Sequence, residues 1–339
     1  MELTAIKVAT HENVEAPKTP RFYLTQNELS NLMGNTPQAI SMQAKQKGVD
    51  SFKIGSKAAY SPKNVRKFLE SRGYKYPSET RVISFQCLKG GSTKTSTLFN
   101  LAVRLASYGA KVLCVDMDGQ GNLTDAFSYD VVDDPVFYHV ADGQCTIQDT
   151  VVNISENLDL IPSDLDNAAL DNFFAVKSIN LETFVRQKLE PIISKYDFVF
   201  IDCNPSLSKL NNSIALASDQ VIIPANPDKF SSKGVKKTIE EYANISEQFN
   251  KEIKYQILFT LFDNREASSQ KYLIHYGTYY QGKLIPVFVR RSADIKNAID
   301  EKKSIFEYPK ALAREDLDSV AKLFLGIEFK HDKEKPEGL

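Results

Sequence analysis

The chain has 339 residues, 42% hydrophobic and 25% charged, enough to bury the core of one large domain with a small one beside it and ordinary for a globular protein. Its 42 Lys and Arg nearly cancel its 43 Asp and Glu, so no bulk charge draws it to nucleic acid and any DNA contact must come from a local patch. No apolar run approaches the roughly 18 residues of a membrane span, the first residues lack the basic head and apolar block of a secretory leader, and the four scattered cysteines, with Cys87, Cys114 and Cys203 in apolar runs, read as buried free thiols suited to the cytoplasm.

Residues 1–20 are polar, with Pro17 and Pro20, and read as a flexible arm. Thr25 and Glu28 then have the spacing of a capping box, Leu29, Leu32 and Met33 make an apolar face, and Gly34 ends the helix. Thr36 and Pro37 open a second helix that turns Ile40 and Ala44 inward and Gln38, Ser41, Met42 and Lys45 outward. Lys53–Tyr60 reads as a hairpin or wing around Gly55-Ser56, and Ser61-Pro62 cap a third helix carrying Val65, Phe68 and Leu69. Lysines and arginines crowd residues 45–75, which is the local basic patch that the whole-chain charge conceals. The span 21–77 is therefore expected to be a small winged helix-turn-helix domain that meets DNA through Gln38, Ser41, Met42 and Lys45. A packing or dimerisation module with a solvated basic face is the other reading of the same pattern.

The densest chemistry lies in Val82–Ser96. Val82, Ile83, Phe85 and Cys87 read as a buried strand that feeds Lys89-Gly90-Gly91-Ser92-Thr93-Lys94-Thr95, and Thr95-Ser96-Thr97 open a helix. Gly90 and Gly91 let the backbone turn tightly enough for its N–H groups, with the helix N-terminus, to converge on polyphosphate oxygens. Lys94 supplies a point charge for the β- and γ-phosphates, and the Thr95 hydroxyl is placed for Mg2+. Taken alone, the stretch also fits a lysine-rich surface turn with no ligand.

Two features set the loop apart from the ordinary P-loop: Thr93 stands where Gly precedes the lysine, and Lys89 is extra. The form KGGxxK[ST] resembles the deviant Walker A ATPases, a class that includes the ParA partition ATPases, MinD-like proteins and the nitrogenase iron protein. The resemblance implies ATP held by Lys89, Gly90, Gly91, Ser92, Thr93, Lys94, Thr95 and Ser96, with Lys89 reaching across a homodimer to the partner's nucleotide.

Further along, Lys111–Asp116 is a near-continuous apolar run ending in an acid, as expected of a strand buried on both faces. Asp116-Met117-Asp118-Gly119-Gln120-Gly121-Asn122 resembles the family motif DxDPQGN, which implies that Asp118 orients the attacking water and that Asp116 lies near the Mg2+ shell; Gly119 replaces the usual Pro and is expected to loosen the turn. Residues 125–155 are irregular and acidic and suggest no chemistry. Leu158–Ile161 reads as a strand and 182–195 as a helix. Phe198–Asp202 followed by Cys203-Asn204-Pro205-Ser206 resembles a Walker B segment, implying that Asp202 holds Mg2+ through water, with Asn204 where Pro is usual.

Gln220–Pro224 is a further strand, a helix is expected to open at Gly234, and by resemblance Pro227 and Phe230 contact adenine; Phe230 as an ordinary core aromatic is the alternative. Tyr255–Thr260 is again a strand. The family resemblance places Arg265, Arg290 and Lys296, the last on a helix from Ser292 that also carries Lys302 and Lys303, on a composite DNA surface, with solvated surface charge as the alternative. The charged tail 329–339, expected to be disordered, has no apolar face of the kind that MinD-like relatives insert into membranes.

The alternation of strands and helices over 78–328 predicts an α/β fold, a doubly wound, mainly parallel sheet preceded by the small helical domain. The resemblance to ParA covers about 82–326. It implies an ATP- and Mg2+-closed homodimer on nonspecific DNA of the nucleoid, released by hydrolysis that a ParB-type centromere-binding partner stimulates, while the first domain binds an operator. A nucleotide-controlled repressor and a ParA-like ATPase that positions a protein cargo are the alternatives.

Overall fold

A computed structural model describes residues 22–91 and 93–327; the expected arm over 1–20, the tail over 329–339 and Ser92 lie outside the described residues. Near the start, helix Gln26–Met33 begins as its capping box requires: the Thr25 N–H donates to Glu28 Oε2 at 2.9 Å and the Glu28 N–H to Thr25 Oγ1 at 3.3 Å. Gly34 ends it at φ 59°, and Thr36 caps helix Pro37–Gln46. Strands β1 (Leu24–Thr25), β2 (Phe52–Ile54) and β3 (Lys57–Tyr60) form a small antiparallel sheet in the order β1-β3-β2, β1 being too short for sequence periodicity to reveal. Helix Pro62–Ser71 follows, capped by Ser61.

Seven strands build the large sheet: β4 (Arg81–Phe85), β5 (Val112–Asp116), β6 (Val152–Ser155), β7 (Leu158–Ile161), β8 (Phe198–Asp202), β9 (Gln220–Ala225) and β10 (Tyr255–Phe259), ordered β10-β9-β4-β8-β5-β7-β6. Every pairing is parallel except β6 with β7. Every residue of β5 and β8 is buried, which is why both read as unbroken apolar runs. The irregular stretch 125–155 contains helix Phe137–Asp142, a 3-10 turn Ile147–Thr150 and β6. Helix Lys229–Phe249 starts one turn before Gly234, because the Asp228 carboxylate accepts the backbone N–H groups of Phe230 and Ser231, each at 2.9 Å. The last expected basic helix is Ala293–Asp300, which carries Lys296 but ends before Lys302 and Lys303. Cys87, Cys114 and Cys203 are buried free thiols, and no described helix is long and apolar enough to cross a membrane.

The small sheet and its helices share one hydrophobic core with the large sheet: Leu24, Leu29, Ile40, Val65 and Phe68 belong to the same buried cluster as Leu98, Leu105, Phe198 and Phe200. A buried ionic group reinforces the seam, where Arg104 contacts Asp318 at 2.5 Å and Glu28 at 3.4 Å, and Arg314 contacts Glu28 at 2.9 Å. Farther along the seam Arg66 pairs with Asp197 at 2.6 Å. Gly109, at φ +87°, lets this packing close, since a Cβ there would stand 2.7 Å from the Arg66 amide nitrogen. Gly109→Ala is therefore expected to cost roughly 2–4 kcal/mol, combining left-handed strain with overpacking. A urea midpoint equal to that of the wild type would show that the seam yields without cost.

Candidate active site

Strand register assembles the site. Phe85 lies opposite Asp202, and Asp202 opposite Asp116, so the loop leaving β4 hangs over two neighbouring acids at the carboxyl ends of β8 and β5. Helix Lys94–Ser107 starts at the far end of that loop, with Thr93 as its N-cap residue at φ 64°. Left-handed backbone is costly for a β-branched residue, about 1–3 kcal/mol, and this one is held from outside. The Thr93 hydroxyl donates to Thr260 Oγ1 at 3.0 Å, and the Thr260 hydroxyl donates to Asn226 Oδ1 at 2.8 Å. Asn226 Nδ2 in turn donates to the Gly91 carbonyl at 3.4 Å. Asn226 and Thr260 are thus parts of the site that sequence reasoning missed; their one signal is a polar residue directly after an apolar strand. The Ser96 hydroxyl donates back to the Thr93 carbonyl at 3.1 Å, which makes it a brace of the loop.

The acids differ in what they hold. Asp116 Oδ2 accepts the N–H and hydroxyl of Thr124, at 2.9 and 2.8 Å, and its Oδ1 accepts the Asp118 N–H at 3.2 Å. Asp202 Oδ2 accepts the Thr95 hydroxyl at 2.6 Å, while its Oδ1 is buried without a hydrogen-bond partner. A carboxylate with one unsatisfied oxygen beside a hydroxyl is a hard-oxygen pair that fits Mg2+, an ion that keeps its waters and takes phosphate oxygens in preference to an all-protein cage. Thr95 and Asp202 could hold it directly or through water, while Asp116 accepts three hydrogen bonds, from Thr124 and the Asp118 amide, that fix the turn beside them. Burial lifts the Asp116 carboxyl to about 6 against the hydrogen bonds from Thr124, and burial with the neighbouring Asp116 charge lifts Asp202 to about 7.

Both values exceed the ordinary 3.8, so the folded, nucleotide-free chain binds more protons than the unfolded one and loses stability as pH rises from there through about 7. Asp202→Asn is expected to flatten this slope and raise the melting temperature at pH 8 by a few degrees in the absence of nucleotide and Mg2+. Melting curves at pH 5 and pH 8 check it, and an unchanged or lower midpoint at pH 8 contradicts it.

The turn after Asp118 is tight. Asp118 Oδ1 accepts the Gln120 N–H at 3.1 Å, and its carbonyl accepts the Ser163 hydroxyl at 2.7 Å. A Cβ on Gly119 would stand 2.7 Å from the Ala168 amide nitrogen. The expected loosening by Gly119 is thereby corrected, since the missing side chain is what lets the turn press against its neighbour.

Lys94 is buried at the first helical position and lowers the Asp202 carboxyl electrostatically. Lys89 pairs with Asp228 at 2.7 Å, the residue that caps helix Lys229–Phe249. That helix packs near the loop, with Gly234 facing Leu88 and Lys89. Pro227 is buried, whereas Phe230 on its first turn is 74% exposed, which removes the core-aromatic alternative. Of the expected DNA contacts on the large sheet, Arg290 is committed elsewhere: its guanidinium grips Asp316 at 2.7–3.0 Å and also reaches Glu315 and the Leu312 carbonyl. Arg265 is exposed and pairs with Asp263 at 2.7 Å. Both arginines line a cleft of about 620 Å³ with Phe262 and Phe288, while exposed Lys296 is not among its lining residues. In helix Pro37–Gln46, Gln38, Met42 and Lys45 are exposed as the pattern predicts, whereas Ser41 is half-buried.

A family model described as an AAA domain matches residues 80–255, just over half of the chain. The virulence plasmid ParA family protein pGP5-D of Chlamydia psittaci is 30% identical over 262 residues, 75% of this chain and 97% of that protein. The sporulation initiation inhibitor protein Soj of Bacillus subtilis is 28% identical over 231 residues, 67% of this chain and 91% of that protein. Among solved structures, the ATP complex of a Cyanothece McdA variant matches with a TM-score of 0.67 at 22% identity, covering 74% of this chain and 98% of that one, a likeness of fold. The family model starts at residue 80, so the small sheet and its helices stand outside it. On the P-loop fold and these matches together, the chain belongs to the family of ParA-type partition ATPases.

Proposed function

We propose that this protein is a DNA partition ATPase of the cytoplasm: ATP with Mg2+ closes a homodimer on nonspecific nucleoid DNA, and hydrolysis, stimulated by a DNA-bound ParB-type centromere-binding partner, releases it. The observation that carries the reading is the Thr95 hydroxyl bound to Asp202 within reach of the Lys94 charge, with one Asp202 oxygen left unsatisfied. Mg2+ held by Thr95 and Asp202 would supply positive charge to offset that of the β- and γ-phosphate oxygens. Lys94 and the loop N–H groups bind those oxygens, Asp118 turns the attacking water in line, and Pro227 and Phe230 border the adenine. Lys89, held by Asp228 in the single chain, exchanges that partner for the nucleotide of the second subunit when the dimer closes.

The test is the affinity of the full-length chain for random-sequence DNA at fixed salt, with ATP and with ADP. Tighter binding with ATP, unaffected by Gln38→Ala and Lys45→Ala, supports partition; binding indifferent to nucleotide refutes it. Surface substitutions serve better than truncation, because removing the first 77 residues would open the shared core. A nucleotide-controlled repressor is a second reading, favoured by the outward face of helix Pro37–Gln46, where Met42 is 58% exposed. It predicts sequence-specific footprints that Gln38→Ala and Lys45→Ala erase.

A further inference from the structure

The two places where this chain departs from the family motifs around its acids, Gly119 and Asn204, are far apart in sequence and converge on one segment, residues 163–171. On one side, the Gly119 turn presses on Ala168 so closely that neither a Cβ nor a proline ring fits, the Ala168 Cα being 2.9 Å from where that Cβ would stand. On the other side, Asn204 Nδ2 donates to Asp171 Oδ2 at 2.8 Å, a bond that proline could not make. Ahead of Ala168 in the same segment, Asn167 Nδ2 donates to the Asp116 carbonyl at 3.2 Å, and the Ser163 hydroxyl holds the Asp118 carbonyl. The segment therefore touches the backbone of both acids of the Asp116–Asp118 turn and, through Asp171, the loop after Asp202.

The Asn204 end is itself braced. Its Oδ1 accepts the Ser206 hydroxyl at 2.7 Å and Asn211 Nδ2 at 3.0 Å, and Asn211 Nδ2 also reaches the Ser206 carbonyl at 2.7 Å. Asp171 Oδ1 is buried with no hydrogen-bond partner. A half-satisfied carboxylate with one oxygen buried is costly to keep unless its other oxygen is well used, and here Oδ2 accepts the side-chain bond that ties the segment to this loop. We propose that residues 163–171 form a brace setting the loop after Asp202 at a fixed distance from the Asp118 turn, and that Asp171 and Asn204 are positioning residues for hydrolysis. The inference rests on the ATPase reading for its catalytic consequence, since an in-line water and the γ-phosphate must be held to a fraction of an ångström.

The experiment compares Asn204→Ala, Asp171→Ala, the double variant and the conservative Asp171→Asn in the full-length chain. Each alanine variant is expected to lower kcat about tenfold or more with KM for ATP within about twofold, and the double variant to fall no further than the worse single one, as for two halves of one contact. Asp171→Asn keeps an acceptor for Asn204 Nδ2 and is expected to recover most of the rate. Unchanged kcat in both single variants, or losses that multiply in the double, overturns the proposal. Amide exchange is read on the same proteins: the variants are expected to lose protection at residues 203–207 and 117–121 together, and unchanged protection at both overturns the brace. If the wild-type chain hydrolyses no ATP, the ATPase reading fails by itself, while the exchange result still decides whether the brace exists.

Discussion

Lys94→Ala is expected to lower ATP turnover by about a thousandfold or more and to weaken nucleotide binding, the largest single effect in the site. The side chain is 7% exposed at the first position of helix Lys94–Ser107, where its charge lowers the buried Asp202 carboxyl. Removing its charge deletes a lysine that offsets the Asp202 carboxylate and takes one cation away from the phosphates that the loop N–H groups face. The protein should nonetheless fold: with Lys94 gone the Asp202 carboxyl holds its proton more tightly, so the nucleotide-free chain loses little stability near neutral pH. Turnover at saturating ATP, together with titration of a fluorescent nucleotide, checks the prediction. Unchanged hydrolysis would falsify the assignment of residues 89–96 as a phosphate loop.

Asp118→Ala separates binding from chemistry. Loss of a positioned carboxylate that orients water is expected to cost about 100- to 10,000-fold in kcat, with ATP affinity within a few-fold of the wild type. The reason is geometric: Asp118 shapes its turn mainly through backbone groups, its N–H on Asp116 and its carbonyl on Ser163, and alanine retains both. Its carboxylate gives up a single contact, the Gln120 N–H. ATP-dependent dimerisation measured by light scattering should therefore survive while phosphate release stalls. Normal turnover would remove Asp118 from the mechanism, and loss of ATP binding would show that it holds the nucleotide and not the water.

The central strands β5 and β8 were legible because each, buried along its whole length, leaves an unbroken apolar run that an acid ends. The loop and both acids were legible for a related reason: phosphate and Mg2+ demand particular residue types at fixed chain spacing. The short strand β1 and helix Phe137–Asp142 were not legible, being too brief for a period to emerge. Arg290 illustrates a different limit, since whether a guanidinium is free for a phosphate depends on Asp316, a residue 26 positions away.

By itself the sequence determined the chemistry-bearing loop, the order of the acids and the α/β class, since these follow from local spacing and hydrophobic period. Only the tertiary structure decided that Lys89 is held by Asp228, that Thr93 and Gly91 are tied to Thr260 and Asn226, and that Gly119 and Asn204 meet the same segment. It also decided that the stretch 22–77 shares a core with the sheet. Each of these depends on which strand ends become neighbours, and parallel pairing across the β4-β8-β5 crossover brings together residues whose separation along the chain leaves no local trace.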